Sequence, residues 1–417
     1  MTLPSRSISY AEARRRVLES ATPLGATLEP LARCSGRALR RAVIAPHALP
    51  PFRNSAMDGW ALHSADTASA TADAPVRIAV TGVVAAGHGL EAALERGTAV
   101  RIMTGAPLPE GADAVVPFEE GERLGEGAGE QVLLSRPARA GDHIRAAGAD
   151  VSAGEVALEA GRELSAHDLA LAASLGFAEL SVSPAPRVSI LSTGDELLDP
   201  AEELRPGTIR DSNLPMLSML VTEAGGTLVV AERLRDDPAR LEARVREAAA
   251  LSDVVLTIGG VSAGDFDPVK LALEGLGGIE LWRVGMRPGR PQAFGRSGGS
   301  LFFGLPGNPA SVACVFEALV RPALRRLQGF AGLDRPLVPV RIAAAVESRE
   351  GRTDFVRCAL EWRLGALWAV PAGAQVSGHL TPQSRAHALV VVPDGIAALA
   401  HGDEAAALLL RLPSAPR

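Results

Sequence analysis

The sequence lacks several features that would point to particular classes of protein. It holds a single lysine, Lys270, against 41 arginines, and its net charge of −6 gives no overall reason to expect nucleic acid or an anionic membrane as partner. No apolar run approaches the roughly 20 residues that span a bilayer. The opening segment MTLPSRSISYAEARRR lacks the apolar core of a secretory signal. We therefore expect a cytoplasmic protein that binds neither nucleic acid nor membrane.

The cysteines and histidines also exclude kinds of site. Cys34, Cys314 and Cys358 lie far apart without a C-x-x-C spacing, so they cannot form a zinc or cluster site by themselves, and buried free thiols are the simplest interpretation. The motifs G-x-G-x-x-G and G-x-x-x-x-G-K-[ST] are absent, which disfavours a dinucleotide or Walker-type site. No Ser-His-Asp arrangement stands out among the eight histidines.

Apolar strands alternate with amphipathic helices between residues 186 and 330. The strand runs are 188–193, 227–234, 254–260 and 301–307, and the helices begin at Asn213, Pro238, Pro268 and Pro309. Strands that feed helices in this rhythm predict a parallel sheet with right-handed crossovers. In such a sheet the ligand lies at the carboxyl ends of the strands, which makes this stretch the first place to look for a site.

The flanking regions carry other patterns. Ser9 and Glu12 form a capping box that opens a helix. Further helices are predicted over 28–44 and 165–176. Short β runs separated by turns predict a β-rich domain over 45–154 and a β domain over 332–417.

Polar and glycine residues follow each of the four strands, and the four loops are expected to meet at one edge of the sheet. Glycines let backbone N–H groups approach a ligand, and helix N-termini favour anions. Carboxylates there suit a divalent cation, Mg²⁺, on phosphate oxygens. Each carboxylate alone is equally well explained as a helix cap, but together the loops predict a site for a phosphorylated substrate and a metal. The candidates are Thr193, Gly194, Asp195, Glu196, Asp236, Gly259, Gly260, Ser262, Asp267, Pro306, Gly307 and Asn308.

A second cluster consists of Arg283, Arg287, Arg290 and Pro291. Arg287 and Arg290 flank a Pro-Gly turn, so both guanidinium groups can close on one small oxyanion in bidentate fashion. The alternative is a solvated charged turn between two strands.

The segment NSAMDGW at 54–60 forms a third candidate region, in the β-rich domain. We expect Met57 and Trp60 to pack in the core and Asp58, which precedes a glycine, to be a turn residue. Thr104 ends a strand run with a hydroxyl group. Taken alone, Asp58 and Thr104 have a sufficient explanation in local structure.

Six of these segments stand in the order and spacing of one known family. N-S-A-M-D-G, R-I-M-T-G, S-T-G-D-E, R-D-D-P, G-G-V-S-x-G and G-L-P-G-N-P together resemble the molybdopterin molybdenumtransferase family, of the MoeA and gephyrin E-domain type. The resemblance covers nearly the whole chain, and six motifs in register make it specific.

The resemblance implies a multidomain fold of class α/β plus β and an elongated homodimer. The implied layout is a small mixed domain (26–44 and 155–185), a β-rich domain (45–154), a three-layer α/β molybdopterin-binding domain with a mainly parallel sheet (1–25 and 186–331) and a C-terminal β-barrel-like domain (332–417). The β-rich domain of one subunit would meet the α/β domain of the other at the active site, so that Asp58 acts across the dimer interface.

The resemblance also implies roles for individual residues. The family converts adenylylated molybdopterin and molybdate into molybdenum cofactor and AMP with the help of Mg²⁺. The matching residues are Asp58, Glu196, Asp236 and Asp267 for catalysis, the last three also for Mg²⁺; Thr104 and Asp150 for substrate; and Arg357 and Ser377, beside the arginine cluster, for molybdate. Further implied partners are the upstream adenylyltransferase and the molybdoenzymes that receive the cofactor.

The sequence departs from the family at a few positions. Lysines are usual where Arg283, Arg287 and Arg290 stand here, and the two cations differ in geometry and hydration. Ala149 stands where a glutamate is common, and Trp60 where tyrosine or phenylalanine is usual. Three alternatives to a molybdenum insertase stay open: a pterin-binding scaffold without turnover, an adenylyltransferase of related fold, and an enzyme that inserts tungstate.

Overall fold

The computed structural model describes residues 5–88, 92–260 and 268–413, which contain 28 strands and eight α-helices. The strands are β1 (Ser5–Ser9), β2 (Thr27–Pro30), β3 (Val43–Ile44), β4 (Asn54–Ser55), β5 (Gly59–Leu62), β6 (Val76–Val84), β7 (Thr98–Ile102), β8 (Ala114–Pro117), β9 (Gly121–Leu124), β10 (Gln131–Leu134), β11 (Ile144–Arg145), β12 (Val156–Leu158), β13 (Glu179–Val182), β14 (Arg187–Thr193), β15 (Leu197–Leu198), β16 (Ile209–Arg210), β17 (Thr227–Leu234), β18 (Val254–Ile258), β19 (Ile279–Arg287), β20 (Pro291–Ser297), β21 (Ser300–Leu305), β22 (Leu337–Ile342), β23 (Val346–Glu347), β24 (Thr353–Arg363), β25 (Ala366–Pro371), β26 (Ala388–Val392), β27 (Ala398–Leu399) and β28 (Glu404–Leu409). The helices are α1 (Tyr10–Ser20), α2 (Ala166–Ser174), α3 (Asn213–Glu223), α4 (Pro238–Leu251), α5 (Pro268–Leu276), α6 (Pro309–Val315), α7 (Arg321–Leu327) and α8 (Leu380–Arg385), with a π-helical turn, Phe316–Val320, between α6 and α7.

The chain divides into two compact units. The large unit comprises Met1–Arg41, Ala160–Ser165 and Glu179–Arg417, and the small unit comprises Ala42–Glu159 and Ala166–Ala178. The small unit is therefore an insertion into the sequence of the large one. The finer four-domain layout stays a prediction.

The large unit is built on a mixed sheet whose first four strands confirm the predicted βα rhythm. In the order β17-β14-β18-β21 these strands are parallel, and each is followed by a helix or a loop that leads to one. Next come β20, antiparallel to β21, and β19, antiparallel to β20. The first strand, β1, pairs in parallel with β19. Arg283 and Arg287 lie in β19, Arg290 lies in the turn that follows, and Pro291 begins β20.

Helices cover both faces of this sheet. Alternate residues of its buried strands point to opposite faces, so each strand contributes to two separate cores. Val188 and Ile190 belong to a core with residues of α1, α3, α6 and α7. Leu191 and Val255 belong to a separate core with residues of α4 and α5. Helix, sheet and helix therefore form three layers. The carboxyl ends of the parallel strands lie at the sheet's rim.

The C-terminal strands confirm a barrel-like β structure. The order β24-β25-β22-β28-β26 closes when β26 pairs back onto β24. Its interior holds apolar residues that include Ile342, Cys358 and Val390. Two residue pairs between β19 and β24 join this closed sheet to the α/β sheet, so β19 contributes to both.

The small unit contains a six-stranded sheet in the order β8-β5-β7-β6-β10-β9. Trp60 of β5 is buried in its core and packs edge-on against Phe118, with ring centroids 4.8 Å apart. Met57 was expected to pack beside it, and this is wrong: its side chain is 40% exposed.

Of the remaining predictions, those for the first helix and the cysteines are confirmed and the one for residues 28–44 is wrong. The helix opened by Ser9 is confirmed as α1, with the Glu12 N–H donating to Ser9 Oγ at 3.1 Å. The helix predicted over 28–44 is wrong, because β2 pairs there with β13, a strand about 150 residues later. The cysteines are free and buried as predicted, and burial raises the pKa of each thiol. No helix in the described part of the chain is long and apolar enough to cross a membrane.

Candidate functional site

The loops after β14 and β17 lie side by side at the rim of the α/β sheet. The Gly194 N–H donates to Leu234 O at 3.3 Å. The Asp195 N–H donates to Asp236 Oδ2, and the Asp236 N–H donates to Asp195 Oδ1, each at 3.4 Å. The first two candidate loops therefore meet, as their position at neighbouring strand ends predicted.

The loops after β18 and β21 adjoin them. The Gly259 N–H donates to Leu305 O at 3.0 Å, and a Cβ at Gly259 would lie 3.0 Å from Thr193 O. Its φ of +93° is in the left-handed region that favours glycine. A Cβ at Gly307 would lie 3.9 Å from the Gly259 Cα. The Thr193 hydroxyl donates to Ile258 O at 3.0 Å. The glycine loop after β18 therefore lies directly against the end of β14.

Among the described carboxylates of these loops, the helix-cap explanation applies to Asp237; the cap explanation for Asp267 concerns a residue outside the described part of the chain. Asp237 caps α4, accepting from the Ala239 and Arg240 N–H groups at 3.0 and 3.1 Å. Its neighbour Asp236 and the more distant Glu196 cap no helix, and both side chains are exposed at the rim. The fold thus leaves Glu196 and Asp236 available to a ligand.

These two carboxylates have the chemistry that Mg²⁺ requires. Within residues 5–88, 92–260 and 268–413 no three His, Cys, Asp or Glu side chains gather closely enough to hold a metal by themselves. Mg²⁺ usually takes only one or two protein carboxylates and completes its shell with substrate phosphates and water. Glu196 and Asp236 fit that pattern. The predicted Ser262 and Asp267 lie outside the described residues, and Gly260 marks the end of the described loop.

All the predicted molybdate residues except Arg357 line one cavity of about 1060 Å³ in the large unit, here called the arginine cavity. It lies where β1, the β19–β20 turn and two barrel loops come together. The predicted residues that line it are Arg283, Arg287, Arg290, Pro291, Pro306, Asn308 and Ser377. Sequence reasoning missed Arg349 and Arg352, which line it from the loop before β24. No local pattern in that loop signals a site.

The arginines of this cavity are mostly left without carboxylate partners. Arg352 pairs with the buried Asp354, Nε to Oδ1, at 2.7 Å. Arg283, Arg287 and Arg290 take part in none of the ion pairs that join described residues within 4.0 Å. A walled cavity with uncompensated guanidinium groups is a receptor for anions.

Ser377 and Asn308 connect the barrel to the rim of the α/β sheet. Asn308 stands at the N-cap position of α6 but does not cap it; its amide Nδ2 donates to Ser377 Oγ at 3.1 Å. The Ala310 N–H donates to Ser377 O, also at 3.1 Å. On the other side, Asn213 Nδ2 donates to Gly307 O at 2.7 Å. The Gly-Asn-Pro loop is thereby fixed between the carboxylates and the arginine cavity.

Arg357 is placed differently from the other molybdate candidates. It is buried beside a second cavity of about 330 Å³, which Arg287 also lines. Its guanidinium donates to Gln375 Oε1 at 3.3 Å and to the carbonyls of Val376 and His379 at 3.2 Å each. Burial lowers the pKa of this group. In this structure Arg357 holds the loop that carries Ser377.

In the small unit, Asp58 and Thr104 are in direct contact. The Thr104 N–H and hydroxyl donate to Asp58 Oδ1 at 2.6 and 2.8 Å. These two donors hold the pKa of the Asp58 carboxyl below its ordinary value, the backbone donor contributing most. Asp58 and Thr104 each have a sufficient explanation in local structure when taken alone. Together they give an exposed Asp58 carboxylate that Thr104 holds in place.

Asp150 is exposed on a nearby segment of the same unit. Its N–H donates to Leu49 O at 2.9 Å. A few residues earlier, β11 pairs with β4, which immediately precedes the Asp58 turn. The small unit thus holds Asp58, Thr104 and Asp150 on adjoining segments.

Comparison with known proteins matches nearly the whole length of the chain. Three family models match: the MoeA N-terminal region (domains I and II) over residues 8–176, a probable molybdopterin binding domain over 189–326, and the MoeA C-terminal region (domain IV) over 339–410. The chain is 38% identical over 402 residues to molybdopterin molybdenumtransferase 2 of Mycobacterium tuberculosis H37Rv, covering 95% of this chain and 98% of that one. It is 35% identical over 381 residues to the molybdopterin molybdenumtransferase of Bacillus subtilis 168, covering 90% and 87%. The crystal structure of a molybdopterin biosynthesis moeA protein from Pyrococcus horikoshii OT3 superimposes with a TM-score of 0.84 at 27% identity, covering 97% of this chain and all of that one.

Proposed function

The chain belongs to the molybdopterin molybdenumtransferase family, and we propose that it inserts molybdate into adenylylated molybdopterin, releasing molybdenum cofactor and AMP. The observation that carries this proposal is the arginine cavity, whose Arg283, Arg287 and Arg290 have no carboxylate partners among the described residues. The lysine-to-arginine differences from the family keep the charge and add bidentate geometry.

Molybdate enters as a substrate, a tetrahedral dianion. Arg287 and Arg290 flank the turn between β19 and β20 and can each present two parallel N–H donors to its oxygens. Ser377, oriented by the Asn308 amide, offers its hydroxyl at the same wall. Arg357 supports this wall from behind through the 375–379 backbone. The protein's part is to bind and orient the oxyanion, and no covalent nucleophile is needed.

The edge of the α/β sheet that carries Asp195, Glu196 and Asp236, here called the carboxylate rim, would bind the pterin substrate. Glu196 and Asp236, with Asp267 as the resemblance implies, would hold Mg²⁺, which supplies charge neutralisation at the pyrophosphate when bound. Gly259 and Gly307 carry no side chain, so a phosphate group can approach the backbone of these loops closely. Because these loops adjoin the Asn308 wall, the pterin and the oxyanion can be bound side by side.

Asp58 belongs to the second part of the proposal, a homodimer with a shared active site. The Thr104 donors keep this carboxylate ionised and fixed in direction. We propose that it lies against the α/β domain of the other subunit, together with Asp150, as the family resemblance implies. An exposed, preorganised charge of this kind can act on a substrate bound elsewhere.

The proposal is tested by measuring AMP release from adenylylated molybdopterin with molybdate, with tungstate and with neither. We expect release that depends on the oxyanion, and a product that restores activity to an apo-molybdoenzyme. Tight pterin binding without AMP release would favour the scaffold alternative. Formation of adenylylated pterin from ATP would favour the adenylyltransferase, and preference for tungstate would change the metal assigned.

The shared site is tested by mixing two inactive variants. Asp58→Asn and Asp236→Asn are each expected to reduce turnover about 10²-fold or more while leaving the dimer intact. If each site draws these residues from different subunits, random mixing of the variants should restore about a quarter of wild-type activity, since half of the dimers then hold one intact site of two. If mixing restores nothing, the cross-subunit assignment of Asp58 is wrong.

A further inference from the structure

The loop before β24 forms a wall of the arginine cavity to which neither the sequence nor the family comparison gives a role. We infer that Arg349 in this loop binds a phosphate group of the pterin substrate, at a subsite distinct from the oxyanion position at Arg287 and Arg290. The inference rests on the proposed function and adds to it a second contact for the substrate's phosphates, besides the Mg²⁺ that the rim carboxylates would hold.

The loop's backbone is fixed at several points. The Gly351 N–H donates to Asp394 Oδ1 at 2.7 Å, and the Ser348 N–H donates to Ala397 O at 2.7 Å. Arg352 is tied to the buried Asp354. Arg349 lies between these attachments, so its side chain extends from a preorganised backbone.

Close backbone approach seats this loop on β19. A Cβ at Gly285 would lie 3.0 Å from Gly351 O, so the two backbones approach more closely than a side chain at this position normally allows. Gly285 lies in the strand between Arg283 and Arg287. The seating therefore brings Arg349 to the same cavity as these two arginines.

Arg349 and Arg352 differ in whether a carboxylate neutralises their charge. Arg352 is compensated by Asp354, whereas Arg349 is exposed and takes part in no ion pair between described side chains. Glu350 is the one carboxylate that lines the described part of the cavity. With Arg283, Arg287 and Arg290, the cavity thus holds four uncompensated guanidinium groups, more than one dianion requires.

The volume of the arginine cavity leaves room for a second anionic group besides molybdate. At about 1060 Å³ the cavity is at the upper end of the roughly 300–1000 Å³ typical of small-molecule sites, far more room than a tetraoxoanion fills. The proposed substrate carries phosphates, and the guanidinium fork matches a phosphate in bidentate fashion. Arg349 is the uncompensated cation on the barrel side of the cavity, apart from the β19–β20 turn.

The experiment measures binding of two probes, inorganic pyrophosphate and molybdate, to the purified full-length protein by calorimetry. In Arg349→Ala the Kd for pyrophosphate should rise about tenfold or more, and the Kd for molybdate should stay within about twofold, since a charged hydrogen bond is lost at one subsite only. Arg290→Ala should give the reverse pattern. Arg349→Lys should fall between, because the charge stays but the fork is lost. Arg326→Ala, an exposed arginine on α7, is the control that should change neither constant.

The outcomes separate the inference from the proposed function. Unchanged pyrophosphate binding in Arg349→Ala, or an equal loss of both anions, would overturn the inference. Wild-type protein that releases no AMP but binds pyrophosphate through Arg349 would refute the proposed function and leave the phosphate subsite standing.

Discussion

The carboxylate rim and the arginine cavity lie in the same unit and carry opposite charge, yet no ion pair between described residues joins them. At the rim, Asp195 and Asp236 are held by each other's backbone, while the capping of α4 falls to Asp237. In the cavity, Arg287 and Arg290 line open space without partners. Opposite charges that only stabilised a fold would be expected to pair. Their separation supports the proposal that each set binds a ligand of the other sign.

The loop at 306–308 is what keeps the two regions apart and in register. Gly307 lies against Gly259 at the rim, and Asn308 reaches Ser377 in the cavity wall. One short loop therefore sets the spacing between the proposed cation site and the proposed anion site. The predictions below test whether the two regions are as distinct as this geometry indicates.

The largest effect is expected for Asp236→Asn, which removes a charge at the rim and keeps the shape of the side chain. AMP release at saturating molybdate should fall about 10²-fold or more, as loss of a preorganised charge often causes. The half-saturating molybdate concentration and the melting temperature should not change. A shift in molybdate saturation would show that the rim and the cavity are one site.

A smaller effect, confined to the cavity, is expected for Arg290→Ala. The half-saturating molybdate concentration should rise about tenfold or more, because hydrogen bonds to charged groups contribute about 1.5–3 kcal/mol. Turnover at saturating molybdate should be largely retained. Arg326→Ala serves as a control of equal charge change, and an unaltered saturation curve for Arg290→Ala would remove this residue from the oxyanion position.

Thr104→Val tests the Asp58 carboxylate, which accepts two hydrogen bonds from Thr104. The Thr104 N–H and hydroxyl lower the pKa of Asp58, so its charge persists as the pH falls below the usual carboxylate range. Removing the hydroxyl should raise that pKa, and the acidic limb of the pH–rate profile should move to higher pH. Direct NMR titration of Asp58 would check the direction. A limb that stays in place would mean that another group sets it.

The smallest effect is expected for Asp237→Ala, beside Asp236 in the sequence. Loss of the α4 cap should reduce the free energy of unfolding by about 1 kcal/mol and leave turnover close to wild type. Denaturant unfolding and the AMP assay together measure both. Substantial loss of turnover would blur the division between the capping and the ligand-binding carboxylate.

Local pattern predicted the parts of the fold whose partners are close in sequence. The strands that end at Thr193 and Leu305 and the helices after them followed from periodicity, and strand ends in a parallel sheet necessarily share a rim. The segment 28–44 failed because β2 obtains its partner from β13, far along the chain, and tertiary pairing overrode a weak helical preference.

The site was predictable to the same extent. Arg287 and Arg290 flank one short turn, so their joint role could be inferred from spacing. Arg349 could not be found that way, because it reaches the cavity only through the seating of Gly351 on Gly285. The contact between Asp58 and Thr104 depends on the pairing of β5 with β7, which no local signal specifies.

The pairing of β1 with β19 has a consequence for how the protein is made. About 270 residues separate the two strands, so a ribosome working at about 5–20 residues per second completes β19 roughly 15–50 s after β1 has been synthesised. During that interval α1 has no sheet on which to bury Ala13 and Val17. The inserted small unit is complete in sequence by Ala178, well before its host. The nascent N-terminus must therefore be shielded or stay unfolded while the inserted unit forms first.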